Sequence, residues 1–202
     1  MIKKYIAVTM RYDYFYGKKE IRNGINFDLI NWIYQLGFYP HLIPNDLRYF
    51  NEIKKNNFSG FILSGGNDTN LKMTRSILEN KILSFSKKEK LPVLGICHGM
   101  QMMNKYEGGN LKKVKNHVGK YHKLKSIIKN YPNKVNSFHN YSISKLGKDF
   151  EVISESHDGE IEAIRHMSYK WLGIMWHPER SQDSTNQTIL RKVFQDINFW
   201  KQ

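Results

Sequence analysis

Apolar residues along the chain follow two alternating periods. Short runs at 5–10, 39–43, 60–63 and 91–96 read as strands. The segments between them carry apolar residues every three or four positions and read as helices. The first helix covers 26–36, with Phe27, Ile30, Ile33 and Tyr34 as its apolar positions, and stops at Gly37. Asp46 is placed to cap a second helix running to about residue 55. A third covers 74–88 and a fourth 99–106. The run 91–96 is apolar without alternation and bounded by turn residues, as in a strand buried on both faces. Strands alternating with helices predict an α/β fold, a mostly parallel sheet flanked by helices.

The second half has a different texture. Residues 150–154, 161–165 and 171–175 read as three successive strands, and His157-Asp158-Gly159-Glu160 supplies a hairpin turn between the first two. They predict a small antiparallel layer added to the α/β core. An amphipathic helix at about 184–199 closes the chain. With no repeat, low-complexity tract or linker, residues 1–202 are expected to form one domain.

Composition narrows the class. The chain is 40% hydrophobic and 13% aromatic, enough to bury a sizeable core. Its net charge of +14, from 32 basic and 18 acidic residues, suits polyanionic partners. Abundant Lys, Asn and Ile also fit an A- and T-rich coding bias, which accounts for the charge without any partner. The basic residues are scattered and lack the interleaved aromatics of a nucleic-acid platform, so no nucleic-acid partner is expected. A single cysteine excludes an intramolecular disulfide. Arg11 and Asp13 end the first apolar run too early for a signal-peptide core, and no apolar stretch approaches the ~20 residues that span a bilayer. A soluble cytoplasmic protein without a membrane partner is the expectation.

That lone cysteine sits in a telling segment, Leu91-Pro92-Val93-Leu94-Gly95-Ile96-Cys97-His98-Gly99-Met100-Gln101. It falls at the carboxyl end of a buried strand and the start of a helix, with glycines two residues to either side. This is the layout of a nucleophile elbow, whose tight turn demands small neighbours. A helix N-terminus favours a thiolate, and the backbone N–H after the nucleophile can face an oxyanion. A packed core cysteine needs neither feature. For a base, Trp176-His177-Pro178-Glu179 places a histidine just past an apolar strand. Pro178 ends the strand, and Glu179 is spaced to accept the other imidazole N–H.

Gly95-Ile96-Cys97-His98-Gly99-Met100-Gln101 together with Trp176-His177-Pro178-Glu179 resembles the class I glutamine amidotransferase superfamily, and within it the γ-glutamyl hydrolase-like branch (peptidase family C26). Ala7 to Arg11 is similar to that branch's first strand, Leu63 to Asp68 to its oxyanion-strand loop, Asn136 to His139 to its glutamate-binding segment, and His157 to Ile164 to the hairpin before its histidine. The chain departs from the pattern at Ser64, where the family often has Pro, and at Met175, where it often has Gln. The resemblance implies a flavodoxin-like sheet and a catalytic triad of Cys97, His177 and Glu179. It implies an oxyanion hole from the backbone of Gly66 and His98, and substrate contacts from Gly65, Gln101, Ser137, Phe138 and His139. Gln101 could equally be an ordinary helix residue and His139 a core histidine.

The reaction so implied is hydrolysis of a γ-glutamyl amide through a glutamyl thioester, releasing glutamate. The basic balance favours a phosphorylated, nucleotide-linked leaving group such as a CDP-amidate. Arg11, Lys18, Lys19 and Arg22, in a loop after the first strand, are candidate phosphate contacts. A glutaminase subunit feeding ammonia to a partner synthetase and a degenerate γ-glutamyl-ligand binder are the alternatives. No cofactor is expected, and a homo-oligomer is left open. No metal site is expected either. His117 and His122 lack an acidic partner in the sequence, sit among lysines and read as a solvated loop.

Overall fold

The computed structural model describes residues 5–17, 19–128, 131–181, 183–196 and 200. The first half contains β1 (Tyr5–Thr9), β2 (Arg11–Phe15), β3 (Glu20–Gly24), α1 (Phe27–Gln35), β4 (Tyr39–Ile43), α2 (Tyr49–Lys55), β5 (Gly60–Leu63), α3 (Thr74–Glu89), β6 (Val93–Ile96) and α4 (His98–Tyr106). The second half contains β7 (Asn110–Lys113), β8 (Val118–Ser126), β9 (Lys134–Phe138), β10 (Tyr141–Lys145), β11 (Phe150–Ser156), β12 (Ile161–His166), β13 (Trp171–Ile174), a 3₁₀ turn (Pro178–Arg180) and α5 (Ser184–Gln195).

Nine strands form one sheet in the order β4-β1-β5-β6-β13-β12-β11-β8-β9. Pairing is parallel from β4 to β13 and antiparallel from β13 to β9. The predicted α/β architecture is therefore present, but the strands expected as an added antiparallel layer extend the main sheet. β13 is the reason: it pairs parallel with β6 on one side and antiparallel with β12 on the other. The small antiparallel additions are two further two-stranded sheets, β2–β3 and β7–β10.

Period-two alternation splits the strands between two cores. Ile6, Val8, Ile62, Leu94 and Ile96 face one side, where Leu29, Trp32 and Ile33 of α1 and Ile189 and Val193 of α5 cover them. Ala7, Phe61, Leu63 and Val93 face the other, against Leu78, Ile82, Met100 and Met103 of α3 and α4. The two deepest indoles each find a partner, Trp171 Nε1 donating to Ser86 Oγ (2.8 Å) and Trp176 Nε1 to Asn186 Oδ1 (2.8 Å).

Four local expectations need correction. Helix α1 buries Leu29, Trp32 and Ile33 and leaves Phe27 and Tyr34 exposed, so its inward stripe is rotated from the expected one. Asn26 Oδ1 caps the helix at Asp28 N (3.0 Å), and the face carrying Leu29, Trp32 and Ile33 is the one that packs on the sheet. Asp46 Oδ1 accepts from Arg48 N (2.9 Å) in a turn, and α2 begins only at Tyr49. The stretch after β1 is the β2–β3 hairpin and not a loop. Strand β2 alternates aromatic with charged residues and β3 is mostly polar, so neither offers an apolar face to read. Helix α5 ends at Gln195, and 197–199 lie outside the described residues.

A buried ionic knot ties the loop after β5 to the helices. Glu79 on α3 is fully buried and accepts from Thr9 Oγ1 (2.9 Å) and Arg75 Nε (3.0 Å), while its other oxygen lies 2.9 Å from His98 Nε2. Arg75 Nη2 donates to the Ser64 carbonyl at 2.6 Å, and His98 Nδ1 lies 2.7 Å from the Asn67 carbonyl. Both ends of the Ser64–Asn67 turn are thus anchored to one carboxylate. Burial alone would raise the Glu79 pKa, but Arg75 and His98 outweigh it and hold it down to about 2.

Removing that carboxylate leaves Arg75 buried without its counter-charge. Glu79→Gln is expected to cost about 3–5 kcal/mol in denaturant unfolding at pH 7. Because the folded pKa lies below the ordinary 4.5, the wild-type stability from this group is full above pH 4.5 and drains away as pH falls toward 2. A stability–pH series should show that acid slope flattened in Glu79→Gln.

Candidate active site

Strand β6 ends at Ile96, and α4 begins at His98, so the chain reverses at Cys97. Cys97 has φ 51° and ψ −102°, a backbone region that L-residues rarely enter. Two constraints hold it there. Its N–H donates to the Ile174 carbonyl of β13 (2.8 Å), and the start of α4 packs directly on β5. A Cβ on Gly99 would stand 2.1 Å from the Leu63 carbonyl oxygen, and one on Gly95 would meet the Gly99 carbonyl carbon at 2.6 Å. The two glycines of the elbow motif are required by these close approaches.

His177 follows just after β13. Asn136 on β9 grips its backbone from both sides, donating to the His177 carbonyl (2.8 Å) and accepting from its N–H (2.9 Å). The imidazole Nδ1 lies 2.7 Å from Glu179 Oε1, and the ring shares its cleft with the Cys97 side chain. Glu179 lies in the 3₁₀ turn that Pro178 begins. Burial opposes a charge on His177, yet its interactions with Cys97 and Glu179 prevail and raise its pKa to about 9. The imidazole ring also rests on the turn after β5, where a Cβ on Gly65 would fall 2.6 Å from His177 Cε1.

These groups open on a cleft at the carboxyl ends of the parallel strands, where ligands bind in open α/β sheets. Its lining includes Cys97, His177, Glu179, Ser64, Gly65 and Gly66. Gly66 has φ +134°, and the His98 N–H belongs to the first turn of α4, where backbone donors have no intrahelical partner.

The expected substrate contacts separate. Arg11 and Phe138 line the cleft with Cys97, His177 and Glu179, and Arg11 Nε is 2.7 Å from Asp13 Oδ1. Phe138 meets the His177 ring edge-on, with centroids 5.9 Å apart. Ser137 is buried and donates to the His117 carbonyl (2.5 Å). Gln101 is bound within the protein, accepting from Thr69 Oγ1 (3.0 Å) and donating to the Tyr141 carbonyl (3.3 Å) and Met175 sulfur (3.7 Å). His139 belongs to a separate histidine cluster. Lys19 and Arg22 are exposed on the β2–β3 hairpin and absent from the cleft lining, while Lys18 lies outside the described residues.

Sequence reasoning missed Arg180, whose guanidinium lies 4.8 Å from the Phe138 ring centroid at the cleft. Its position directly after His-Pro-Glu was the available signal. It also missed the buried His98 side chain, because nothing local marks a partner nineteen residues away. The solvated-loop expectation for His117 and His122 is overturned. His117 is buried, its Nε2 lies 3.0 Å from Asp158 Oδ2, and both histidines gather with His139 and Glu162.

Comparison with known proteins places this geometry. The family model described as glutamine amidotransferase class-I matches residues 20–197. The chain is 36% identical over 155 residues to the γ-glutamyl-CDP-amidate hydrolase of Campylobacter jejuni subsp. jejuni serotype O:2, aligning 74% of each chain. It is 34% identical over 187 residues to a glutamine-hydrolysing GMP synthase subunit of Methanococcus vannielii, aligning 81% of this chain and 94% of that one. Among solved structures, a Thermoplasma acidophilum protein described as a GMP synthase subunit superposes with TM-score 0.76 over 100% of this chain and 97% of that one, at 20% identity, a likeness of fold. With the family model covering most of the chain and two relatives above 30% identity over broad alignments, this chain belongs to the class I glutamine amidotransferase family.

Proposed function

We propose that the chain is a cysteine hydrolase that cuts a γ-glutamyl amide bond and releases glutamate, with γ-glutamyl-CDP-amidate, an intermediate of capsular phosphoramidate synthesis, as its substrate. One observation supports the reaction class: Cys97, His177 and Glu179 line one cleft, with His177 Nδ1 bonded to Glu179 Oε1. Cys97 as thiolate attacks the γ-carbonyl carbon. The C–N bond breaks as His177 passes its proton to the leaving nitrogen, and a glutamyl thioester remains. His177 then takes a proton from water, which attacks the thioester and frees glutamate and the thiol. Glu179 fixes the imidazole tautomer and supports its charge. The N–H groups of His98 and Gly66 receive the oxyanion, each worth about 10²–10³ in rate.

The substrate rests on the Campylobacter relative and on Arg11 and Arg180 lining the cleft, which suit an anionic ligand. We read the 202 residues as one hydrolase domain, acting in the cytoplasm without a cofactor. The Methanococcus relative supports a second reading, a glutaminase subunit that needs a synthetase partner.

Purified protein alone, given glutamine, γ-glutamyl amines and γ-glutamyl-CDP-amidate, is expected to release glutamate fastest from the amidate. Glutamine turnover that appears only with an added synthetase would establish the second reading. Cys97→Ala should abolish thioester formation, seen by mass spectrometry, with an unchanged circular dichroism spectrum. Failure of wild-type Cys97 to alkylate rapidly with iodoacetamide at neutral pH would mark a ligand binder instead.

A pH profile tests the proton inventory. With His177 raised to about 9, kcat/KM should hold through neutrality and fall with an apparent pKa near 9 as the imidazolium is lost. Glu179→Gln removes a group that raises this pKa, so its alkaline limb should move to lower pH and its kcat should drop by about 10³–10⁴.

A further inference from the structure

Four side chains from distant parts of the chain converge on one point in the β8–β9–β12 region. They are His117, just before β8, His122 within β8, His139 just after β9, and Glu162 on β12, and one ligand atom from each lies within 4.8 Å of all the others. Glu162 is completely buried, His117 and His139 are buried, and His122 is half-buried. Neither oxygen of Glu162 nor Nε2 of His122 has a hydrogen-bond partner among the described residues. A buried carboxylate with no protein donor carries a heavy desolvation cost.

Outer partners set the histidine tautomers. Asp158 Oδ2, 3.0 Å from His117 Nε2, can only accept, so Nε2 carries a proton. The Tyr141 carbonyl, 3.0 Å from His139 Nδ1, likewise fixes the proton on Nδ1. In the neutral rings the lone pairs of His117 Nδ1 and His139 Nε2 then point at each other across 3.3 Å. Glu162 Oε1 stands 3.4 Å from His139 Nε2 and 3.9 Å from His117 Nδ1. A tetrahedron with metal–ligand legs of about 2.0–2.1 Å has edges of about 3.3 Å. A doubly protonated His117 would relieve the contact with His139, but it leaves His122 Nε2 without a partner among the described residues.

We propose that His117, His122, His139 and Glu162 form a four-ligand site for a divalent transition-metal ion, zinc being the best match to three imidazoles and one carboxylate in tetrahedral array. Asp158 and the Tyr141 carbonyl orient two of the imidazoles from outside, as carboxylates and carbonyls do around bound zinc. Four protein ligands leave no open position, so the ion is structural. It joins β8, the end of β9 and β12. Strand β9 also carries Asn136, which grips the His177 backbone, and Phe138, which touches its ring. The site itself does not depend on the reaction proposed above.

The test uses Cys97→Ala protein, so that the thiol cannot bind zinc. After chelator treatment and dialysis, equilibrium dialysis with zinc is expected to give one ion per chain. Cobalt(II) should give the intense visible bands of tetrahedral coordination, without sulfur charge transfer. Adding His122→Ala, at the half-buried position where folding is least at risk, should weaken zinc binding at least about tenfold. Glu162→Gln should do the same, with circular dichroism checking its fold. Absence of stoichiometric binding in folded Cys97→Ala protein, an octahedral cobalt spectrum, or binding unaffected by His122→Ala would overturn the site.

Discussion

The backbone reversal at Cys97 organises everything around it. A residue with φ 51° between a central strand and a helix is tolerable only where its neighbours leave no alternative. Here the helix start touches β5 through Gly99, and the Cys97 N–H is bound to β13. The sulfur is therefore delivered at the strand ends by packing, without any side-chain cap on α4.

Two sets of polar contacts build outward from that point and approach it from opposite sides. The Glu79 knot fixes the Ser64–Asn67 turn through Arg75 and His98, and the turn in turn abuts the His177 ring at Gly65. From the antiparallel side, Asn136 holds the His177 backbone as a neighbouring strand would. The imidazole position is thus determined by contacts reaching across the sheet, from α3 to β9. Its raised pKa is the electrostatic result: a buried ring held beside Cys97 and bonded to the Glu179 carboxylate.

Several features were legible in the chain. The α/β alternation, the apolar runs of β5 and β6, the Asp158–Gly159 turn and the Cys97 and His177 segments all rest on residues close together in sequence. Glycines at an elbow and a proline between histidine and glutamate act over one or two peptide units, so their consequences can be read locally. The β2–β3 hairpin and β8 were not legible, because Arg11–Phe15 and Val118–Ser126 alternate charged, aromatic and small residues without an apolar face. For α1, the apolar residues marked the helix but not the face that packs.

By itself, the sequence determined which backbone segments are strands or helices near Cys97 and which residue types stand at the strand ends. Tertiary structure alone decided which side chains share a space. It drew Gln101, Ser137 and His139 into internal contacts, brought Arg180 to the cleft, and gathered His117, His122, His139 and Glu162 from well-separated stretches of chain. The physical reason is range: dihedral preferences and turn chemistry act between neighbours, whereas burial and charge pairing act between residues that only sheet order makes adjacent.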